Sequence, residues 1–200
     1  MTSIRPAAYH AGLVVVLASV SSVLPLRRFP HQKPCANSGA FRITEACIGP
    51  LPVRATVSQL RAIRAGSKDS LHYGENDAYP GVVFHLVGLN AFGWQYNDSL
   101  QTNAPIDTWV VKGRNATLPE GIPITAEWSM VQQKYGQGIV DTEDGIAVMF
   151  CRFPSLIFEL TFDGARRLEG SGRIDMSRIP PDAHIASITI PVEPMAGWNC

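Results

Sequence analysis

Charge is scarce in this chain. Only 17% of its 200 residues are Asp, Glu, Lys or Arg, and 17 basic side chains are balanced by 17 acidic ones. With zero formal net charge and no Lys/Arg run longer than Arg27-Arg28 or Arg166-Arg167, the chain lacks the broad field that gathers nucleic acid or an anionic lipid surface. Catalytic signatures are missing as well. The stretch "EGSGR" around Ser171 has no strand in front of it and so is no nucleophile elbow. Neither a phosphate loop nor a dinucleotide fingerprint occurs. There is no Cys-x-x-Cys, and no Cys/His pair has zinc-ligand spacing, so no metal or cofactor is expected.

What the chain does have is Pro (15) and Gly (17), with 46% hydrophobic residues. That composition suits short strands and turns over long helices and is ordinary for a globular protein able to bury a core. The single long apolar run, Ala11 to Leu26, holds about 16 residues and no charge, with Arg5 before it. It is short against the roughly 20 residues of a bilayer-spanning helix. Val20 and Ser22 fit a signal-peptidase site after Ser22, so residues 1–22 are expected to be a signal peptide. Arg27 and Arg28 argue for the alternatives, an uncleaved membrane anchor over residues 11–26 or a buried N-terminal helix. Residues 23–42, polar and aperiodic, are expected to be a linker.

An even number of cysteines in an exported chain predicts disulfides. Cys35, Cys47, Cys151 and Cys200 allow three pairings. Pairing Cys35 with Cys47 is the most local choice and leaves Cys151 with Cys200.

Two stretches look alike, "LPVRATVSQLRAIRAG" from Leu51 and "IPITAEWSMVQQKYG" from Ile122. In the first, Thr56 suits a helix N-cap and Gln59 the reciprocal position of a capping box. Val57, Leu60 and Ile63 share one face, and Gly66 is a stop. Downstream, the strand "PGVVFHL" from Pro80 matches "PSLIFEL" from Pro154 at a similar offset. Strands are also expected in "FGWQYND", from Asp107 to Gly113, and from His184 to Val192. Asp144-Gly145 is a favoured hairpin turn, after which Ile146, Val148 and Phe150 alternate with Ala147, Met149 and Cys151. The matching patterns predict a duplicated unit, residues 43–118 and 119–200. The expected fold is therefore α+β: two tandem helix-plus-antiparallel-strand repeats, with the helices packed on one face of an antiparallel sheet.

The stretch "IGPLPVRATVSQLRAI" resembles the Gly-x-Leu-x-x-Gly-Met-Thr-x-x-Glu-Val/Leu opening of small exported bacterial domains. These are the BamE/SmpA-like lipoproteins and the repeats of the beta-lactamase inhibitor protein. Thr56 and Gln59 stand where that Thr and acidic residue stand. Arg54 replaces the usual Gly, Ala55 the usual Met, and the second copy has Glu127 in place of the Thr. The resemblance implies export, helices across an antiparallel sheet and protein binding, and it carries over no functional residue.

Candidate site residues are few. His85 and Glu159 occupy matched positions of the two copies, so a pseudo-twofold would bring them to a shared seam. The alternative is two solvated strand positions. Trp94 and Tyr96, alternating around Gln95, are candidate exposed anchors of a binding surface, the alternative being that they belong to a mixed core, while Trp109 and Trp128 read as core. These residues predict an exported, non-catalytic binding protein, secreted or periplasmic, whose partner is another exported protein or an envelope component. Membrane contact would come only through residues 11–26 if they are uncleaved. The alternative is a small hydrolase or small-ligand-binding protein using His85 and Glu159.

Overall fold

Thirteen strands and two short helices order the described chain. The structure, a computed structural model, describes residues 35, 41–64, 66–73, 77–193 and 198. The expected signal peptide or anchor, most of the expected linker, and Cys200 therefore lie outside the described residues. Three short strands come first, β1 (Phe41–Arg42), β2 (Cys47–Ile48) and β3 (Leu51–Pro52). Helix α1 (Val57–Ile63) opens with the expected capping box. Thr56 accepts the Gln59 N–H, and the Gln59 side chain accepts the Thr56 N–H at 2.9 Å. A meander follows: β4 (Lys68–Tyr73), β5 (Ala78–Leu86), β6 (Leu89–Trp94) and β7 (Thr108–Gly113), then the two-residue β8 (Ala116–Thr117). Helix α2 (Trp128–Tyr135) leads into β9 (Gly138–Asp141), β10 (Ile146–Phe150), β11 (Ile157–Thr161), β12 (Arg173–Ile174) and β13 (His184–Pro191).

Nine of these strands form one sheet in the order β12-β9-β10-β11-β13-β7-β6-β5-β4, with every pair antiparallel. This corrects the expected fold. The protein is mostly β, with helices of only seven and eight residues, and is not a pair of helix-plus-sheet repeats. The strands matched by sequence show why the pattern misled. "PGVVFHL" lies in β5, next to the edge strand β4. "PSLIFEL" runs into β11, beside the central strand β13. A Pro followed by alternating apolar residues and Phe is what any strand covering a core requires, so it recurs without equivalent positions.

Strand alternation places the core on one face of this sheet. Val82, Phe84, Leu89, Ala91, Trp109, Val111, Val148, Phe150, Phe158, Ile188 and Ile190 are buried in a single cluster with Val57 and Leu60 of α1 and Trp128, Val131 and Tyr135 of α2. Helix α2 meets the sheet through aromatic rings, Trp128 at 5.5 Å and Tyr135 edge-on at 5.2 Å from Phe150. Ile43, Ile48, Leu51 and Val53, from the N-terminal segment, complete the covering layer. The buried Trp109 indole N–H donates to the Val53 carbonyl at 2.9 Å, which fastens that layer to β7. Full burial of each such large side chain contributes about 1.5–3 kcal/mol.

Cys35 and Cys47 form a disulfide. Cys151 is also disulfide-bonded. Among the described residues no helix is long and apolar enough to cross a membrane.

Candidate functional site: a cleft on the open face of the sheet

The face of the sheet opposite the core carries a cleft of about 410 Å³ over β9, β10, β11 and β13. Its floor follows from register. Reading across the sheet, Asp141 opposes Ala147, Ala147 opposes Glu159, and Glu159 opposes Ser187. The small Ala147 thus sits between two carboxylate-bearing positions two strand spacings apart, about 10 Å. Ile157 opposes Thr189 one step along. The β9–β10 turn adds Glu143 and Asp144 to the rim, and Trp198 contributes to the wall.

A β-bulge shapes one side. Glu159 pairs with Ser187, but Leu160 pairs with Ile185, so Ala186 is an extra residue on β13. The inserted residue reverses alternation. Ile185 and Ile188 both pack toward the core, while Ala186 and Ser187 turn to the cleft side.

Glu159 is held in place. One carboxylate oxygen accepts the Thr189 hydroxyl at 2.7 Å and the other accepts the Ser187 hydroxyl. Ser187 is almost fully buried. Both donors come from the strand next to Glu159, so the carboxylate is oriented before any ligand arrives, and its remaining lone pairs can accept from one. No histidine or cysteine is among the described residues lining this cleft. A fixed acceptor on an apolar floor can bind a donor or cationic group.

The structure does not bring His85 and Glu159 together. His85 is on β5 and Glu159 on β11, with β13, β7 and β6 between them, about 19 Å at the usual strand spacing. His85 is exposed, and its Nδ1 lies 2.8 Å from Asn90 Oδ1, the residue opposite on β6. The seam site loses its geometry because the two strands hold different ranks in the sheet.

Trp94 and Tyr96 are separated too. Trp94 is buried, only 5% exposed, its ring stacked on His72 with centroids 4.0 Å apart and planes 11° apart. Tyr96 is exposed and meets Tyr79 edge-on at 5.1 Å. The expected pair of exposed anchors is therefore one exposed tyrosine beside an aromatic cluster of His72, Tyr79, Phe92 and Trp94. The covering residue, His72, comes from β4, a strand whose polar sequence gave no apolar signal. Burial lowers the His72 imidazole below its ordinary value. Tyr79 is raised by desolvation and by the neighbouring Asp77.

Of the cleft residues, sequence reasoning singled out Glu159 alone. Ser187 and Thr189 carried a signal in β13: two hydroxyls on one face of a strand whose other face is Ile188 and Ile190. No group of three His, Cys, Asp or Glu able to hold a metal occurs among the described residues.

No protein-family model and no curated protein matches this chain. Among solved structures it is similar to the uncharacterized protein yfeY from Escherichia coli, at 12% identity and a TM-score of 0.44, covering 75% of this chain and 99% of that one.

Proposed function

We propose that this chain is an exported binding protein without catalytic activity, and that it takes a protein or envelope component on the open face of its sheet at the Glu159 cleft. The carrying observation is the cleft itself: a mixed apolar and acidic floor with one carboxylate pre-oriented by Ser187 and Thr189. Preorganisation of this kind lowers the ordering cost of binding. Export is supported by the Cys35–Cys47 disulfide, since disulfides persist mainly in oxidising compartments. The apolar Ala11–Leu26 stretch and the resemblance of Ile48–Ile63 to BamE/SmpA-like and beta-lactamase-inhibitor repeats argue the same way. The test is site-specific photo-crosslinking in the producing cell. A photoreactive residue at Ala186 should give a discrete adduct with a second molecule, reduced by Glu159→Leu, whereas the same residue at the exposed Gln133 of α2 should not. Equal adducts from both positions, or none from Ala186, would refute the assignment of the cleft.

A further inference from the structure

The two edges of the nine-stranded sheet are unlike. One edge, β12, is two residues long and begins with Arg173. Short strands and charged residues are ordinary ways of making an edge unable to pair. The other edge, β4, has six residues and carries no proline, and among the described residues nothing pairs with its outer side. Alternate N–H and C=O groups along it point away from β5. Apolar side chains gather at this edge. Leu71 is 49% and Tyr73 74% exposed, and Ile63, also exposed, lies on α1, which is tied to β4 by the Arg61–Asp69 ion pair.

We propose that β4 pairs with β4 of a second copy of this chain, making a twofold dimer with one sheet continuous through both protomers. A twofold axis perpendicular to the sheet keeps each face on its own side, so a residue can oppose only residues of its own parity. Two registers then pair five of the six residues of the strand. Centred on Ser70, the pairing sets Lys68 against His72 and Asp69 against Leu71, a cation beside an imidazole and a carboxylate beside an apolar side chain. Centred on Leu71, it sets Leu71 against its own image, Asp69 against Tyr73 and Ser70 against His72. That register covers the two exposed apolar residues and gives the carboxylate and the imidazole each a hydroxyl opposite. Lys68 falls at the end of the ladder, clear of it. The sequence of β4 is self-complementary in this one register, which is why a second copy is the occupant rather than an unrelated strand.

Sedimentation equilibrium of the protein as the cell makes it should give double the chain mass, falling to the chain mass on dilution. Leu71→Lys sets two cations on the axis and should weaken association at least about tenfold. The position is half exposed, so the circular dichroism spectrum should not change. Directly opposed residues have Cβ atoms about 4.5–5.5 Å apart. Leu71→Cys should therefore oxidise to a symmetric crosslinked dimer, and Lys68→Cys should not. A monomer at every concentration overturns the proposal. So does a dimer that survives Leu71→Lys, or one that crosslinks through position 68 in preference to 71.

Discussion

Gln95 offers the sharpest test of how this fold is held. It follows β6 and is fully buried, though amides are seldom found inside. Its amide nitrogen lies 2.9 Å from the Gln101 carbonyl, 3.0 Å from that of Ala104 and 2.9 Å from that of Pro105, and its oxygen accepts the Gln101 N–H at 2.7 Å. An amide has two hydrogens, so three carbonyls share them and one contact is bifurcated. The loop gathered this way holds α1 in turn. The Ser58 N–H donates to the Thr102 carbonyl at 2.8 Å and the Val57 N–H to that of Ala104 at 3.3 Å. These are first-turn amides with no acceptor inside the helix. Replacing Gln95 with Leu keeps the approximate size and removes every one of its side-chain bonds. Orphaning the Gln101 N–H costs about 1–3 kcal/mol, and each of two donated bonds about 1 kcal/mol. The gain from burying a more apolar side chain offsets part of this, leaving about 3 kcal/mol against a total stability of about 5–15 kcal/mol. Urea unfolding should show the midpoint falling with the slope unchanged. Amide exchange at Ser58 and Gln101 should accelerate most. Gln95→Glu should be worse near neutral pH, because a carboxylate would face three carbonyl oxygens, and should recover on acidification as it regains a donor. A loss below about 0.5 kcal/mol for Gln95→Leu, or no acid recovery for Gln95→Glu, would refute this account.

Other positions give further outcomes. Trp109→Phe keeps the ring packing but strands the buried Val53 carbonyl, and should cost about 1–2 kcal/mol in denaturant unfolding. At Gly93 a methyl group would meet Ile106 Cγ2 at 2.8 Å and Trp109 Cε3 at 2.9 Å, so Gly93→Ala should overpack the core by about 1–3 kcal/mol. His72, lowered in the folded state by burial, sets a pH dependence of known sign. Above the ordinary value of 6.5 both states are neutral. As pH falls below 6.5, the unfolded chain binds a proton that the folded chain does not, and stability declines until the folded imidazole titrates. His72→Phe, which keeps a ring against Trp94, should remove that part of the slope, as read from thermal unfolding at stepped pH. Replacing Cys35 and Cys47 with Ser opens a loop with a sequence separation of 12 and should cost about 3 kcal/mol on the chain-entropy model, measured by unfolding without reductant.

Much of the local structure was legible because it depends on neighbouring residues. The Thr56/Gln59 capping box, the Asp144-Gly145 turn and the strand around Phe84 each arise from interactions within a few positions. The sheet order was not legible. The β13–β7 pairing joins Ile190 to Trp109 across a long stretch of chain, and no local pattern specifies which strand receives which neighbour. Edge strand β4 escaped for a related reason. "KDSLHY" needs little apolar alternation, because only its inner side has a strand to pair with, and the side chain that matters most on it, His72, acts by covering Trp94.

The cleft was invisible for a third reason. It is a property of register, and register is set by the whole sheet rather than by any segment. Glu159 is an unremarkable charged position when read along β11. It becomes a candidate site because Ala147 opposite leaves space, because Ser187 and Thr189 on the other neighbour fix its oxygens, and because one inserted residue turns Ala186 to the same side. Remove the bulge and alternation would place Ala186 and Ser187 on opposite faces. Deleting Ala186 should therefore leave a regular ladder, with Ile185 still opposite Leu160 and Ser187 still opposite Glu159, and take only the Ala186 side chain from the cleft side. With a photoreactive group placed at Thr189, an adduct at the cleft should survive the deletion, because the Ala147–Glu159–Ser187 row remains; its loss would mean that binding depends on the bulge and not on the row.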